Sequence, residues 1–420
     1  MSAAALLVAW GPSLAAETAA SNRVDVLTLD KAIGLALQEN PALRASGARV
    51  EAAAGRAYQA KLWTNPELEV NAEDWPVSGG RGFSDAKQTI GIAQTLPYPG
   101  KKSLDRRIGR SGVRLSEAEL SLRRVEVVRD VKAGFFQVLA TERLVGVEED
   151  LVKVAEASAS AAEKRVSAGA APDQELLRAE ILLEQAKSDL AGFRRELATA
   201  RRTLAQIMGR PDLSEAAVSG SLAERGSEGL LEQRPEEWLA KHPSVLAARA
   251  NQDRAELELR RARLEPYPDV KVGVAGGRIG ETDESIIQMG FSLPLPIIDR
   301  GKGKKQEAQA NVTAAEAELA IVEQRLWHEW SVTAQRLRAA AAQAENYRVK
   351  ILPKANEALR LVQTGFEAGK FGFMDLLDTQ RTTAEVRLAY QQKLLELNLA
   401  QAELEALVAP TAETKTAEIK

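Results

Sequence analysis

Cysteine is absent from the 420 residues. Disulfides, thiolate metal sites, cysteine nucleophiles and lipid anchoring through an N-terminal cysteine are therefore excluded. Histidine is scarce: His242 and His328 are the only two, far apart in the chain. Neither has a second ligand at metal spacing, so no resident metal is expected. The four methionines, Met1, Met208, Met289 and Met374, are scattered and do not suggest a copper relay. Aromatic residues make up 5 % of the chain. No apolar run approaches the roughly 18 residues of a membrane-spanning helix, which excludes a polytopic helical membrane protein. Net charge is −3 with 27 % charged residues, so nothing draws the chain as a whole to nucleic acid or anionic lipid. No phosphate-binding loop, Gly-x-Ser-x-Gly elbow or His-Glu-x-x-His pattern occurs. An enzyme is not expected, and neither is a cofactor.

What is present is Ala, Leu, Glu, Arg and Gln in quantity, the composition of long helices. Leu27–Trp63 reads as helical, entered through Thr28 and Asp30 and broken at Pro41. Lys101–Ala168 is a very long helical stretch, with Leu115, Leu122, Val125, Val128, Val131 and Phe135 at spacings of three, four and seven. It stops at Ala168-Gly169-Ala170-Ala171-Pro172, and a second helix runs Asp173–Met208 to Gly209-Arg210-Pro211. Four short segments alternate instead with period two: Leu68, Val70 and Ala72; Ile90 and Ile92; Val270, Val272 and Val274; Ile287, Met289, Phe291 and Leu293. Each has one apolar face and one polar or small face. At the start, Ala3–Trp10 followed by Ser13-Leu14-Ala15 resembles the back half of a secretory signal peptide without its basic front, which reads as a truncated or mis-assigned start. The alternative is a disordered apolar tail.

The chain repeats itself. Asn40-Pro41-Ala42-Leu43 matches His242-Pro243-Ser244-Val245, and Asn65-Pro66-Glu67-Leu68 matches Tyr267-Pro268-Asp269-Val270, both 202 residues apart. Ala168-Gly169 and Leu176-Leu177 match Ala368-Gly369 and Leu376-Leu377, both 200 apart. This is far longer than a solenoid period, and it reads as one half copied once. The expected division is a signal-peptide remnant at 1–16, a first repeat at 27–209 with a hairpin at 66–96, a linker at 210–234, a second repeat at 235–408 with a hairpin at 268–294, and a disordered tail at 409–420. Each repeat is helix, strand, loop, strand, long helix, tight turn, helix, giving six helical segments and four strands. The hairpin loops are expected at Pro76–Ala86 and Gly276–Glu284. Prolines after each hairpin cannot donate to a ladder and mark the passage from sheet to helix.

Strands of about ten residues with one apolar face have the length of tilted membrane strands. Four of them cannot close a barrel, and an open edge cannot face lipid. Oligomerisation is the escape, since three chains supply twelve strands. Trp63, Trp75, Phe83, Tyr98 and Tyr267 lie at or near strand ends, where aromatics of a membrane interface are expected.

The duplicated halves, the two hairpins and the helix break Gly369-Lys370-Phe371-Gly372-Phe373-Met374-Asp375-Leu376-Leu377-Asp378 resemble the TolC family of outer-membrane efflux factors over 27–408. Asn65-Pro66-Glu67-Leu68 and Gln94-Thr95-Leu96-Pro97-Tyr98-Pro99-Gly100-Lys101 look most like its branch serving heavy-metal pumps of the resistance-nodulation-division type. The resemblance implies a mainly α fold with a small β part. Each chain would give four strands to a 12-stranded trimeric outer-membrane barrel, above a long α-helical periplasmic barrel. It implies a homotrimer in contact with outer-membrane lipid, docking with a periplasmic adaptor and an inner-membrane pump that supplies the energy. Nucleic acid is not an expected partner.

Asp375 and Asp378, three apart on a helix face, would then form stacked carboxylate rings at the narrow periplasmic end, favouring cations. The alternative is two acids near a helix N-terminus, which the helix dipole favours in any protein. Glu175 aligns with Asp375 and could add a ring, or pair with Arg178 or a neighbour. Where the family's gate uses a Tyr and an Arg, this chain carries Phe366 and Phe371, so an apolar constriction is expected. The helix tips, with Arg165, Ser167, Gly169 and Ala170 in the first half and Gly369 and Lys370 in the second, are the expected adaptor-docking ends. They can equally be plain helical-hairpin turns. His242, aligned with Asn40, is expected to be a cap or a polar surface residue. The competing functions are a type I secretion or drug-efflux duct of the same fold, and a soluble coiled-coil adaptor or scaffold whose strands pack internally.

Overall fold

The computed structural model describes residues 26–74 and 82–408. The signal-peptide remnant, Trp75, the loop positions 76–81 and the tail at 409–420 lie outside the described residues. The first repeat opens with α1 (Leu29–Glu39) and α2 (Pro41–Lys61), which meet at Asn40. Pro41 starts the second helix instead of bending one long helix. Its missing N–H costs nothing at the first helical position, and the Asn40 carboxamide accepts from Ala42 N–H at 2.8 Å. After β1 (Glu67–Glu73) and β2 (Lys87–Leu96) come α3 (Lys101–Ser167) and α4 (Asp173–Met208). At 1.5 Å per residue the 67 residues of α3 extend about 100 Å.

The linker is not featureless. It carries α5 (Glu228–Glu232), followed by α6 (Pro235–Trp238). A parallel bridge joins Leu27 to Val218. The second repeat then follows: α7 (Pro243–Ala262), β3 (Val270–Ile279), β4 (Glu284–Ser292), α8 (Lys302–Asn346), α9 (Leu352–Glu367) and α10 (Phe373–Val408). The helix count therefore exceeds the six segments expected. One cause is that the second long helix is divided. A π-helical turn at Tyr347–Ile351 separates α8 from α9, with Pro353 just beyond. A proline ring clashes with the carbonyl four residues back, and the wider turn makes room for it.

The halves share local chemistry. His242 caps α7 as Asn40 caps α2, its Nδ1 accepting from Ser244 N–H at 3.2 Å. His242 is only 3 % exposed, so the surface alternative is wrong. The tips close identically: Gly169 N–H donates to Val166 O at 2.9 Å and Ala170 N–H to Arg165 O at 2.8 Å. In the second half Gly369 donates to Phe366 O at 2.9 Å and Lys370 to Gly365 O at 2.7 Å. Both glycines sit at φ +69°, the left-handed region that this helix-ending motif requires.

The main core lies mid-length among the helices. Val131, Phe135, Leu204, Met208, Leu337, Leu397 and Leu404 are all 2 % exposed or less. Elsewhere the packing is thin and Ala-rich, as in the α7–α8 contact of Ala255, Leu259, Ala308, Val312 and Ala315. At Gly109 the axes come so close that an added Cβ would overlap Ala57 of α2. The four strands form one antiparallel sheet in the order β1-β2-β3-β4. The second hairpin loop is shorter than the expected 276–284, because β3 continues to Ile279. Gly276 and Gly277 pair with Ile90 and Thr89 of β2. Gly277 serves close approach, since a Cβ there would overlap the Gln88 carbonyl and Thr89.

Candidate functional site

The sheet has two chemically distinct faces. Register places Leu68, Ile92, Val274 and Met289 in one row across the four strands, and Val70, Ile90, Gly276 and Ile287 in the next. Val272 and Phe291 face each other one row nearer the helices. Apart from Val272 at 37 % and Gly276, these side chains are between 54 % and 84 % exposed. An apolar patch of this extent left bare by its own chain marks a contact with lipid or protein. The opposite face holds Glu67, Glu69, Asn71 and Glu73 against Gly91, Ala93, Gly273, Ala275 and Gly290. Lys271 reaches over the small residues of β2 to Glu67 and Glu69, at 2.7 Å each. Both outer strands, β1 and β4, have one unpaired edge among the described residues.

Where sheet becomes helix, the two halves are tied together. Lys101 bonds Asp269 at 2.9 Å with its side chain 7 % exposed, and Tyr98 N–H donates to the same carboxylate at 2.8 Å. Tyr98 stacks on Tyr267 with centroids 4.7 Å apart. Arg261 joins Asp105 at 3.0 Å and Glu265 at 3.2 Å, and Glu265 also takes Lys304. Of the aromatics expected at strand ends, Trp63 and Tyr267 are exposed and Tyr98 is half-buried at this junction. Phe83 is exposed at the far end of the first hairpin, in a short 3-10 turn at Gly82–Asp85.

The hairpin tips gather the other candidates. Phe373, Leu377, Ala162 and Ala179 form a small buried cluster with Phe366 packed against it. The Arg165 guanidinium lies over the Phe366 ring, 5.6 Å from its centroid. Glu175 pairs with Arg165 at 3.8 Å, while Arg178 turns to Met374 Sδ at 3.3 Å. Of the two roles weighed for Glu175, pairing is thus realised within the chain, with Arg165 as the partner. Phe371 folds over Gly365, where an added Cβ would overlap its ring, and stays 44 % exposed. Ser167, Gly169, Ala170, Gly369 and Lys370 are exposed at the turns.

Asp375 and Asp378 behave differently. Asp375 Oδ2 accepts from Gly372 N–H at 2.9 Å, so this carboxylate closes the first turn of α10. Asp378 is exposed and makes no hydrogen bond or ion pair among the described residues.

Sequence reasoning passed over two buried polar residues of the helices. Asn398, 3 % exposed, accepts from Ala223 N–H at 2.9 Å and donates to Ala223 O at 3.0 Å and Leu394 O at 2.7 Å. It pins the linker to α10, and a lone Asn within a helix gave no signal of this. The second, Glu148, is 2 % exposed. Among the described residues no group of His, Cys, Asp and Glu is arranged to hold a metal, and no helix is long and apolar enough to cross a membrane.

Comparison with known proteins gives a consistent result. The family model described as outer membrane efflux protein matches residues 32–210 and 235–409. A cobalt-zinc-cadmium resistance protein, CzcC of Cupriavidus metallidurans, is 30 % identical over 87 % of this chain and 85 % of its own length. A membrane protein of Pseudomonas aeruginosa superimposes with a TM-score of 0.79 at 20 % identity, covering 90 % of each chain. The outer membrane protein VceC of Vibrio cholerae superimposes with a TM-score of 0.73 at 19 % identity, over 90 % of this chain and 95 % of its own.

Proposed function

The chain belongs to the outer membrane efflux protein family, and from that premise we propose that it is one of three identical subunits of a passive duct for heavy-metal cations. Members of this family are transport components of the outer membrane, with the helical part in the periplasm. The observation that carries the trimer is the sheet: apolar outside, small and charged inside, and unpaired at both edges among the described residues. Each unpaired backbone group in lipid costs several kcal/mol. Pairing β4 of one copy with β1 of the next removes every edge and leaves twelve strands.

The same closure brings three copies of the tips together. Asp378, which has no partner among the described residues, would point its charge at the axis with Asp375 beside it. Phe371 would contribute an apolar constriction. Such a ring attracts cations and holds them weakly enough to release. The cargo reading is supported by the likeness to a cobalt-zinc-cadmium resistance protein, and by a lining of carboxylates instead of chelating thiols or imidazoles. The exposed turns at Gly169 and Gly369 are the surface for a periplasmic adaptor, and an inner-membrane pump of the resistance-nodulation-division type drives the flow.

The test pairs two measurements. A deletion strain should gain sensitivity to cobalt, zinc or cadmium and lose it on complementation. Single channels in planar bilayers should lose cation selectivity and divalent block with Asp375→Asn plus Asp378→Asn. Sensitivity to dyes or antibiotics with unchanged metal tolerance would refute the cargo. Unchanged selectivity would refute the ring.

A further inference from the structure

A cleft of about 460 Å³ opens between α3, α4 and α10, short of the hairpin tips. Leu151 from α3, Leu182 from α4, and Leu377 and Leu388 from α10 supply its apolar wall, and polar side chains make up about half of the lining. Glu148 of α3 is part of this wall, yet it is 2 % exposed and its Oε2 has no hydrogen-bond partner. No cation lies within ion-pair distance of it among the described residues. Asp189 adds a second negative charge from α4. The facing charges of α10, Arg381 and Glu385, are bonded to each other at 2.9 Å and leave no net charge toward the cleft.

A buried carboxylate without a partner is costly and either takes up a proton or acquires a counter-ion. In the chain alone, burial and then the Asp189 charge raise the Glu148 carboxyl above its ordinary range. We propose that this cleft is a binding site for a small organic cation with an apolar body, an aryl or alkyl ammonium, with Glu148 as its counter-ion. The volume is that of a small-ligand pocket, and the leucines take the body while Glu148 and Asp189 take the charge. A bare metal ion does not suit it, since no cluster of metal-ligating side chains exists there. Neither Asp375 nor Asp378 lines the cleft, so the site is separate from the proposed ring. The inference is also independent of what the duct carries.

The probe is benzyltrimethylammonium, titrated calorimetrically into the detergent-solubilised full-length oligomer, with benzyl alcohol as the neutral control. Saturable binding of one cation per chain is expected, with none of benzyl alcohol. Binding should weaken as pH falls, because a proton on Glu148 competes with the ligand. Glu148→Gln, which keeps the side-chain shape, should weaken it tenfold or more. Leu388→Trp, which fills the cleft from the opposite wall without touching a charge, should do the same. Asp375→Asn with Asp378→Asn should leave it unchanged. Absence of saturable binding, equal binding of benzyl alcohol, survival in Glu148→Gln, or loss in the Asp375 and Asp378 pair would each overturn the proposal.

Discussion

The exposed face of the sheet can be tested at one atom-rich position. Met289 lies near the middle of β4, in the row with Leu68, Ile92 and Val274, and is 84 % exposed. If that row faces lipid, Met289→Lys sets a charge near the bilayer midplane. Lysine there costs about 2–4 kcal/mol per barrel position. At one decade per ~1.4 kcal/mol, that is about a 30- to 700-fold shift in the insertion equilibrium for each subunit, and the shift compounds over three subunits. The neighbouring Gln288 points to the other face, opposite Ala275. Gln288→Lys should therefore insert normally. The readouts are the yield of heat-modifiable oligomer in outer-membrane fractions and its midpoint in urea. A soluble scaffold predicts the reverse emphasis, because an exposed apolar residue exchanged for lysine in water changes stability by only about ±0.5 kcal/mol. Wild-type insertion of Met289→Lys, or loss of insertion only in Gln288→Lys, would refute the assignment of faces.

Other consequences follow from single residues. Asn398→Ala orphans the buried polar groups of Ala223 and should cost about 2 kcal/mol or more, seen as a lower denaturant midpoint at unchanged slope. Burial first, and then the Arg325 charge, lower His242 from its ordinary value to about 4. Its folded pKa is thus below its unfolded one, so its share of stability is complete above pH ~6.5 and is lost as pH falls toward 4. That loss amounts to about 3 kcal/mol. His242→Asn, copying Asn40, should flatten this part of the stability–pH curve. Asp375→Ala should destabilise by about 1 kcal/mol through the lost turn closure, whereas Asp378→Ala should fall within about ±0.5 kcal/mol in thermal unfolding. Gly369→Ala, at φ +69°, should cost about 1–2 kcal/mol by the same measurement.

The strand faces were legible because alternation survives in either solvent: Leu68, Val70, Ile287 and Met289 show the same period whether water or lipid bathes them. Helix ends were legible where the chemistry is local, as at Gly169, Gly209 and Asn40. The misread loop had a specific cause. Gly276 and Gly277 look like turn residues, but both lie in β3 paired with β2, and at Gly277 the neighbouring strand passes too close for a Cβ. The π-helical turn before Pro353 was hidden, because the sequence marks the proline and not how the backbone accommodates it. Glu175 could not be assigned because its partner, Arg165, lies across the turn, and that pairing depends on the orientation of the two helices. Asn398 and Glu148 were invisible for the same reason, since burial of a helical polar side chain is set by neighbours on other elements, as Ala223 is for Asn398.

The tips show what duplication makes possible. One backbone design, a long helix closed by glycine at φ +69° and followed by a second helix, occurs twice with identical hydrogen bonds. The side chains on it have diverged in sign and size. The first tip carries Arg165, Ala170 and Ala171, and of its acids Asp173 and Glu175 the second is engaged by Arg165. The second is aromatic and acidic, with Phe366, Phe371, Asp375 and Asp378. The difference lets the two tips of a chain grip each other, through Arg165 over Phe366 and Arg178 against Met374. Two copies of the first tip would offer Val166 and Gln174 where Phe366 and Met374 now stand, and could not dock in this way. The cation–π contact contributes about 0.5–1 kcal/mol at such an exposed site, small enough for the grip to open without unfolding either hairpin. Neither Arg165 nor Arg178 pairs with Asp378, whose carboxylate makes no ion pair among the described residues. Divergence of the halves therefore produces both the closed seam and the uncompensated charge that the proposed ring requires.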